Sequence, residues 1–207
     1  MPEKYLNMYS PEQVQLRPNV FKDGKMPHEE NWFRVYMWDF LFYDKKLDYT
    51  QTLPDGFDLR HLYALYYGAI AWVDDTLAQL TAHLRKAGLD DNTIVVFSSD
   101  HGDNLGSHHR FNKSLVREES IRVPYIISGP GIPKGLGNET TVVQTIDTMP
   151  TLLELCGLDV PGSVQGRSLA AQAQGETAAP DDEAVFIETD LNLIGIRTLT
   201  HTYGMKL

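Results

Sequence analysis

The clearest hydrophobic pattern along the chain lies between residues 61 and 86. Apolar residues recur there at steps of three and four positions, which is the period of an amphipathic helix. They are Leu62, Leu65, Tyr66, Ala69, Val73, Leu77, Leu80 and Leu84. Ala87 and Gly88 come next, and glycine is the usual residue just past the end of a helix. The pattern therefore predicts one helix over 61–86 that buries a single face.

Two short apolar runs predict strands. Residues 93–99 (TIVVFSS) are β-branched and apolar on both faces, which is typical of a buried parallel strand. A turn at 90–92 links the helix to this strand, and together they resemble half of a βαβ unit. A second such strand is predicted at 124–128 (PYIIS), followed by a glycine-rich loop at 129–135.

The remaining segments carry weaker patterns. Residues 1–60 are rich in aromatics and broken by prolines, so we predict an irregular segment that wraps over a larger body, with a short helix near 28–38. The range 61–169 is expected to form an α/β core. Residues 170–183 are polar and predict a linker or loop, and 184–207 are expected to begin a small C-terminal antiparallel β subdomain.

Three finer expectations concern the later part of the chain. A helix is predicted over about 145–156, with Asp147 or Thr148 near its start. Strands are predicted at 184–188 and 194–198. Cys156, the single cysteine, can form no internal disulfide or CxxC zinc site, and its apolar setting predicts a buried thiol.

Composition narrows the possible partners. The chain has 28 acidic residues against 18 lysines and arginines, for a net charge of −10. Because no basic stripe could neutralise phosphates, we predict no nucleic-acid binding. No apolar run approaches the ~20 residues that span a bilayer, so no membrane association is predicted. Compartment and oligomeric state remain open.

Candidate chemistry is concentrated directly after the first predicted strand. Asp100 and His101 stand at its carboxyl end, where binding sites gather in open α/β sheets. One carboxylate oxygen and one imidazole nitrogen suit a divalent cation. Taken alone, such an aspartate often caps a helix, and a lone loop histidine is usually an ordinary surface residue.

Neighbouring residues favour a site. His108 and His109 follow His101 within nine positions, and Lys113 adds the positive charge that an oxyanion requires. Gly102 gives the backbone room to turn after the pair. The segment therefore predicts a pocket for a cation and an oxyanion.

This segment belongs to a longer pattern that resembles the sulfatases, a family of the alkaline phosphatase superfamily. The similarity spans roughly residues 60–200 and rests on several motifs in the same order. They are SSDHGD at 98–103, Lys113, EESIRVP at 118–124, SGPG at 128–131, DTMPTLL at 147–153, VQGRSL at 164–169 and IRT at 196–198. The resemblance implies part of an alkaline-phosphatase-like mixed α/β sheet flanked by helices.

The resemblance also implies roles for individual residues. Asp100 and His101 correspond to metal ligands, with Ca²⁺ as the expected ion and Mn²⁺ or Mg²⁺ as alternatives. Lys113 corresponds to the lysine that contacts the sulfate group and its bridging oxygen, and His108 to a residue on the substrate side. The implied activity is hydrolysis of a small anionic sulfate ester.

One departure from the family changes this expectation. Sulfatases form a formylglycine nucleophile from a Cys or Ser in a C/S-x-P-x-R motif, and the 207 residues contain no such motif. We therefore expect an internal to C-terminal fragment of a sulfatase that is inactive alone, with formylglycine in a missing segment. Two alternatives stay open: a phosphonate monoester or phosphodiester hydrolase of the same superfamily, and a short non-catalytic homologue used for binding.

Overall fold

The computed structural model describes residues 1–20, 58–137, 141–176, 184–189 and 192–207, so the predicted helix near 28–38 lies outside the described residues. The chain forms two compact units. The first unit contains Met1–Ala82 and Asn104–Asn112, and the second contains His83–Asp103 and Lys113–Leu207.

The first unit is built on the predicted long helix. Helix α1 is Glu3–Leu6, and helix α2 is Leu59–Lys86, which confirms the prediction for 61–86 and begins two residues earlier. The hydrophobic core of this unit lies at the start of α2. It consists of Val14, Leu59, Leu62, Tyr63, Ala64, Leu105 and Phe111. The predicted apolar face is thus buried only over its first turns, because Val73 and Leu80 further along are exposed.

The end of α2 follows the predicted glycine stop. Gly88 adopts a φ of +66°, where a side chain would be strained. The N–H of Gly88 donates to the carbonyl oxygen of Arg85, and the N–H of Leu89 donates to that of Leu84, both at a distance of 3.0 Å. These two bonds form a Schellman motif, which satisfies carbonyls that a helix end leaves without partners.

The strands of the second unit form two antiparallel sheets. Strand β1 (Val95–Ser98) pairs with β2 (Tyr125–Ser128). Both strands were predicted, but the expectation that each is a buried parallel strand is wrong. Within the described residues the two strands pair antiparallel with each other, and their side chains are half-buried or exposed. An apolar run specifies a strand without specifying the direction of its partner.

The second sheet contains β3 (Val185–Glu188), β4 (Leu193–Arg197) and β5 (Thr202–Lys206), in that order. The two strands predicted at 184–188 and 194–198 are therefore confirmed within a residue or two.

Short helices complete the second unit: α3 (Glu118–Ile121), α4 (Thr148–Leu155) and α5 (Ala170–Ala173). The predicted helix over 145–156 is confirmed as a 3₁₀ turn, Thr145–Asp147, that continues into α4. Cys156 follows α4 and is exposed, so the predicted buried thiol is wrong. Gly157 follows with a φ of +69°, the left-handed conformation that glycine commonly adopts at a helix end.

Asp147 organises the start of α4. Its buried carboxylate accepts the N–H groups of Gln144 at 2.9 Å and Arg167 at 3.0 Å. Thr151 donates its hydroxyl to the Asp147 carbonyl at 2.6 Å and accepts the N–H of Leu169 at 2.9 Å. The DTMPT segment therefore fixes the chain at 167–169 against α4.

Over the described ranges, no helix is both long and apolar enough to cross a bilayer.

Candidate metal and oxyanion site

Three predicted site residues lie together at the end of β1. Lys113 Nζ is 2.8 Å from His101 Nε2, and the same ring nitrogen is 3.3 Å from Asp100 Oδ2. The side chain of Asp100 is 81% exposed and that of His101 is 37% exposed, so solutes can reach both. The cluster brings one carboxylate and one imidazole next to a lysine ammonium group.

The tautomer of His101 follows from its neighbours. Its Nδ1 is 2.9 Å from the carbonyl oxygen of Gly102, which can only accept, so Nδ1 carries the hydrogen. The Nε2 lone pair then accepts a hydrogen bond from the Lys113 ammonium group. The lone pair of Nε2 and the carboxylate of Asp100 face each other as two acceptors, an arrangement that a bound cation stabilises.

The surroundings of Asp100 lower the pKa of its carboxyl group. Partial desolvation raises its pKa, but hydrogen bonds from the backbone N–H of His101, 2.9 Å from Oδ1, and from the Ser99 hydroxyl outweigh that effect. The pKa of Asp100 therefore lies below its ordinary value of 3.8, and the carboxylate is negative throughout the neutral range.

Gly102 ties this segment to α3. Its N–H donates to the carbonyl oxygen of Ser120 at 2.8 Å. A Cβ at Gly102 would lie closer than 3.0 Å to the carbonyl oxygen of Glu119. The glycine is thus required by close approach of two backbones, and not by the sharp turn that the sequence predicted.

His108 belongs to the first unit. Its N–H donates to the carbonyl oxygen of Asn19 at 2.8 Å, and the Asn19 amide nitrogen is 3.2 Å from Nε2 of the ring. Next to it, Arg17 donates to the Ser107 hydroxyl at 3.1 Å. Asn19 and Arg17 were not predicted as site residues, because neither stands in a periodic or spaced pattern.

The backbone that carries His108 is unusual. Four non-glycine residues of this segment have positive φ angles: Leu105, His108, His109 and Asn112. Such residues persist only where surrounding contacts fix them, and they concentrate at functional sites. The backbone of 104–112 is therefore held in one specific conformation by its contacts, and this segment is called the shaped loop below.

A cleft in the second unit opens beside the predicted cluster. It has a volume of about 1120 Å³, and its lining includes Asp100, His101, Lys113, Glu118 and Arg197. Arg197 Nε forms an ion pair with Glu118 Oε1 at 2.7 Å. Within the part of the chain that the structure describes, no group of three or more His, Cys, Asp or Glu residues converges on one point. Asp100 and His101 offer donor types that suit a divalent cation, but they are fewer than the ligands that a complete site requires.

Comparison with known proteins gives this geometry a context. The family model described as "Sulfatase" matches residues 8–158. An ulvan-active sulfatase from Formosa agariphila is 30% identical over 216 aligned positions, which cover 98% of this chain and 36% of that protein. The chain thus spans about a third of that relative's length.

Solved structures agree. The protein BT4656, solved with its substrate D-glucosamine-2-N,6-O-disulfate, is 31% identical with a TM-score of 0.61, over 68% of this chain and 31% of that one. A phosphonate monoester hydrolase from Silicibacter pomeroyi has the same fold, with a TM-score of 0.71 and 24% identity over 99% of this chain and 46% of that one. The chain belongs to the sulfatase family of the alkaline phosphatase superfamily, and its mixed α/β fold is the fold of that family.

Proposed function

We propose that this chain supplies the metal-binding and sulfate-binding part of a sulfuric ester hydrolase. The observation that carries the proposal is the cluster of Asp100, His101 and Lys113, with 2.8 Å and 3.3 Å between neighbouring side-chain atoms. Membership of the sulfatase family supports sulfate esters as the substrate class. The substrate that we propose is a small anionic sulfate ester.

Asp100 and His101 would hold the cation, through one carboxylate oxygen and through Nε2. Ca²⁺ is the ion proposed, and Mn²⁺ or Mg²⁺ could use the same pair. When bound, such an ion polarises a sulfate oxygen and offsets negative charge. Two protein ligands hold a hard cation weakly, so we propose that the remaining ligands come from outside the described residues.

Lys113 would act as an electrostatic stabiliser. Its ammonium group would donate a hydrogen bond to the sulfate group or its bridging oxygen, where negative charge grows as the ester is cleaved. His101 holds the ammonium in place through Nε2. His108 is proposed as a substrate-side residue, in keeping with its shaped loop.

The nucleophile is proposed to come from outside these 207 residues. The sequence contains no C/S-x-P-x-R segment from which formylglycine could form. We therefore propose that the 207-residue chain alone does not turn over sulfate esters.

The proposal is tested on the product of the full reading frame that encodes this chain. Aryl sulfate and aryl phosphonate monoesters are compared as substrates, with and without a chelator. We expect aryl sulfate to be preferred, with turnover lost on chelation and restored by Ca²⁺. Lys113→Gln is expected to lower kcat by about 10²–10³-fold, whereas Lys134→Gln, at an exposed lysine outside the cleft, should leave kcat unchanged.

Other outcomes select the alternatives. Preference for the phosphonate ester would replace the sulfatase assignment with that of a phosphonate monoester hydrolase, whose fold this chain shares. Calorimetry tests the metal separately: Asp100→Asn should abolish Ca²⁺ binding, and Asp91→Asn should not. A cooperatively folded chain that binds no Ca²⁺ and no sulfate ester would favour a non-catalytic homologue.

A further inference from the structure

We propose that the sheet β3–β5 is a positioning element for Lys113, and that it acts through Val116 and Glu118. This role rests on the proposed function only in treating Lys113 as the cation that meets the substrate. The contacts of Val116 and Glu118 with this sheet all lie within the second unit.

The first contact is a notch formed by two glycines. Gly195 on β4 and Gly204 on β5 are direct cross-strand partners, so their missing side chains would lie next to each other on one face. A Cβ on Gly195 would be 2.9 Å from Val116 Cγ1, and a Cβ on Gly204 would be closer than 3.0 Å to Val116 Cγ2. Each methyl group of Val116 therefore occupies the space of one absent side chain.

Conformation does not explain these glycines. Neither has a positive φ. A Cβ at Gly195 would also lie 2.8 Å from the carbonyl oxygen of Tyr203, whereas the three atoms nearest to a Cβ at Gly204 all belong to Val116. Glycine within a strand weakens it, because the residue has no side chain to pack and loses more entropy on folding. Two glycines opposite each other therefore indicate that the sheet is shaped to receive Val116.

The second contact is polar and lies one row further along the same face. Arg197 and Thr202 are the next pair of cross-strand partners on that face, two residues from Gly195 and Gly204. Arg197 Nε is 2.7 Å from Glu118 Oε1, and the Thr202 hydroxyl donates to the same oxygen at 3.4 Å.

Val116 and Glu118 are also two residues apart. The segment between them thus follows the two-residue repeat of β4 with one apolar and one charged anchor. Two anchors in register fix both the place and the direction of this segment on the sheet.

Lys113 precedes the first anchor by three residues. Between them Ser114 has a φ of 70°, a left-handed conformation that persists in a non-glycine residue only where its surroundings fix it. A long, exposed lysine has many rotamers, so an anchored backbone narrows the region that Nζ can reach. The sheet thereby helps to keep Nζ at 2.8 Å from His101 Nε2.

The test is a size-complementation cycle in the 207-residue chain. Gly204→Ala should displace Val116, and Val116→Ala should restore the fit by removing the opposing methyls. The main readout is the ¹⁵N chemical shift of His101 Nε2 at one fixed pH. Lys113→Gln supplies the reference shift for loss of the lysine contact.

We expect Gly204→Ala to move the His101 signal toward the reference shift. It should also speed hydrogen exchange of the backbone amides at 113–118 by about tenfold, equivalent to about 1.4 kcal/mol. The double variant should return both readouts toward the parent values. Gly162→Ala, at a glycine with open space around it and no positive φ, should change neither.

Several results would overturn the inference. One is a lower melting temperature in Gly204→Ala with an unchanged His101 signal, which would mean that the notch serves packing alone. Another is a double variant that is no better than Gly204→Ala. If Gly204→Ala does not fold, Arg197→Gln removes the second anchor without a steric conflict, and an unchanged His101 signal there would also reject the positioning role. None of these readouts requires turnover, so their outcome is independent of whether the sulfatase proposal is correct.

Discussion

Two consecutive segments of the chain, Asn104–Asn112 and 113–118, hold functional candidates by different physical means. The first, which carries His108, is anchored by apolar side chains: Leu105 is 4% exposed and Phe111 is 6% exposed in the core of the first unit. The second begins with exposed Lys113 and contributes no residue to a buried apolar cluster. Its contacts are a methyl-filled notch and an ion pair.

The difference shows how neighbouring residues of one motif can depend on unlike features of the fold. A buried anchor draws its strength from the apolar area that it removes from water. A notch draws its strength from shape, and it fails when a single methyl group is added in the wrong place. Substitutions in the two segments should therefore lower the free energy of unfolding by different amounts and for different reasons.

The largest effect is expected from removing the apolar anchor. Phe111→Ala should lower the free energy of unfolding by about 3–5 kcal/mol, because it deletes a buried ring and leaves a cavity. Urea unfolding followed by tryptophan fluorescence measures this loss. The matched control is Phe186→Ala on β3, whose side chain is 60% exposed and should change stability by no more than about 0.5 kcal/mol. Equal losses in the two variants would contradict the assignment of Phe111 to the core.

The sequence predicted the elements whose signals are local. Helix α2 has a sustained period, and Gly88 ends it through its own conformation. The pairing of Asp100 with His101 could be expected because adjacent residues at a strand end share one edge. Lys113, a dozen positions later, was expected near this pair from its place in the same loop and from the resemblance to sulfatases, and the structure brings its Nζ to 2.8 Å from His101 Nε2.

Other features depend on partners that no local pattern specifies. The antiparallel partner of β1 and the exposure of Cys156 are set by tertiary neighbours. In the sequence, Gly195 and Gly204 are only glycines that would weaken a strand. The strand register pairs them, and both then lie against Val116. The sequence singled out Gly102 for a turn, but the structure requires glycine there because the backbone of Glu119, 17 positions later, approaches it closely.

An intermediate effect is expected at Gly102, where shape again decides. Gly102→Ala should lower the free energy of unfolding by about 1–3 kcal/mol, because the new methyl group meets the carbonyl oxygen of Glu119 and a backbone cannot rotate away as a side chain can. Gly137→Ala is the control, since a Cβ there meets nothing within 4 Å. Urea unfolding of both variants is the measurement. A Gly102→Ala protein as stable as the control would show that α3 yields freely.

The smallest effect is expected from a charged contact in the first unit, where Lys4 Nζ and the Tyr5 hydroxyl each lie 2.7 Å from Asp75 Oδ2. The hydrogen bond from Lys4, together with that from Tyr5, holds the pKa of Asp75 below its ordinary 3.8. A lowered carboxylate pKa stabilises the fold above pH 3.8, and this contribution is lost as the pH falls through the lowered value.

At high pH the signs reverse. The hydrogen bond to Asp75 raises the pKa of Lys4 above 10.5 and that of Tyr5 above 10.0. Their contribution is complete below those ordinary values and is lost as the pH rises through the raised ones. Asp75→Asn should therefore flatten both limbs of the curve of melting temperature against pH, and the change should be modest because exposed ion pairs stabilise little. Limbs as steep in Asp75→Asn as in the parent chain would assign the pH dependence to other groups, and would leave apolar burial as the main support of the first unit.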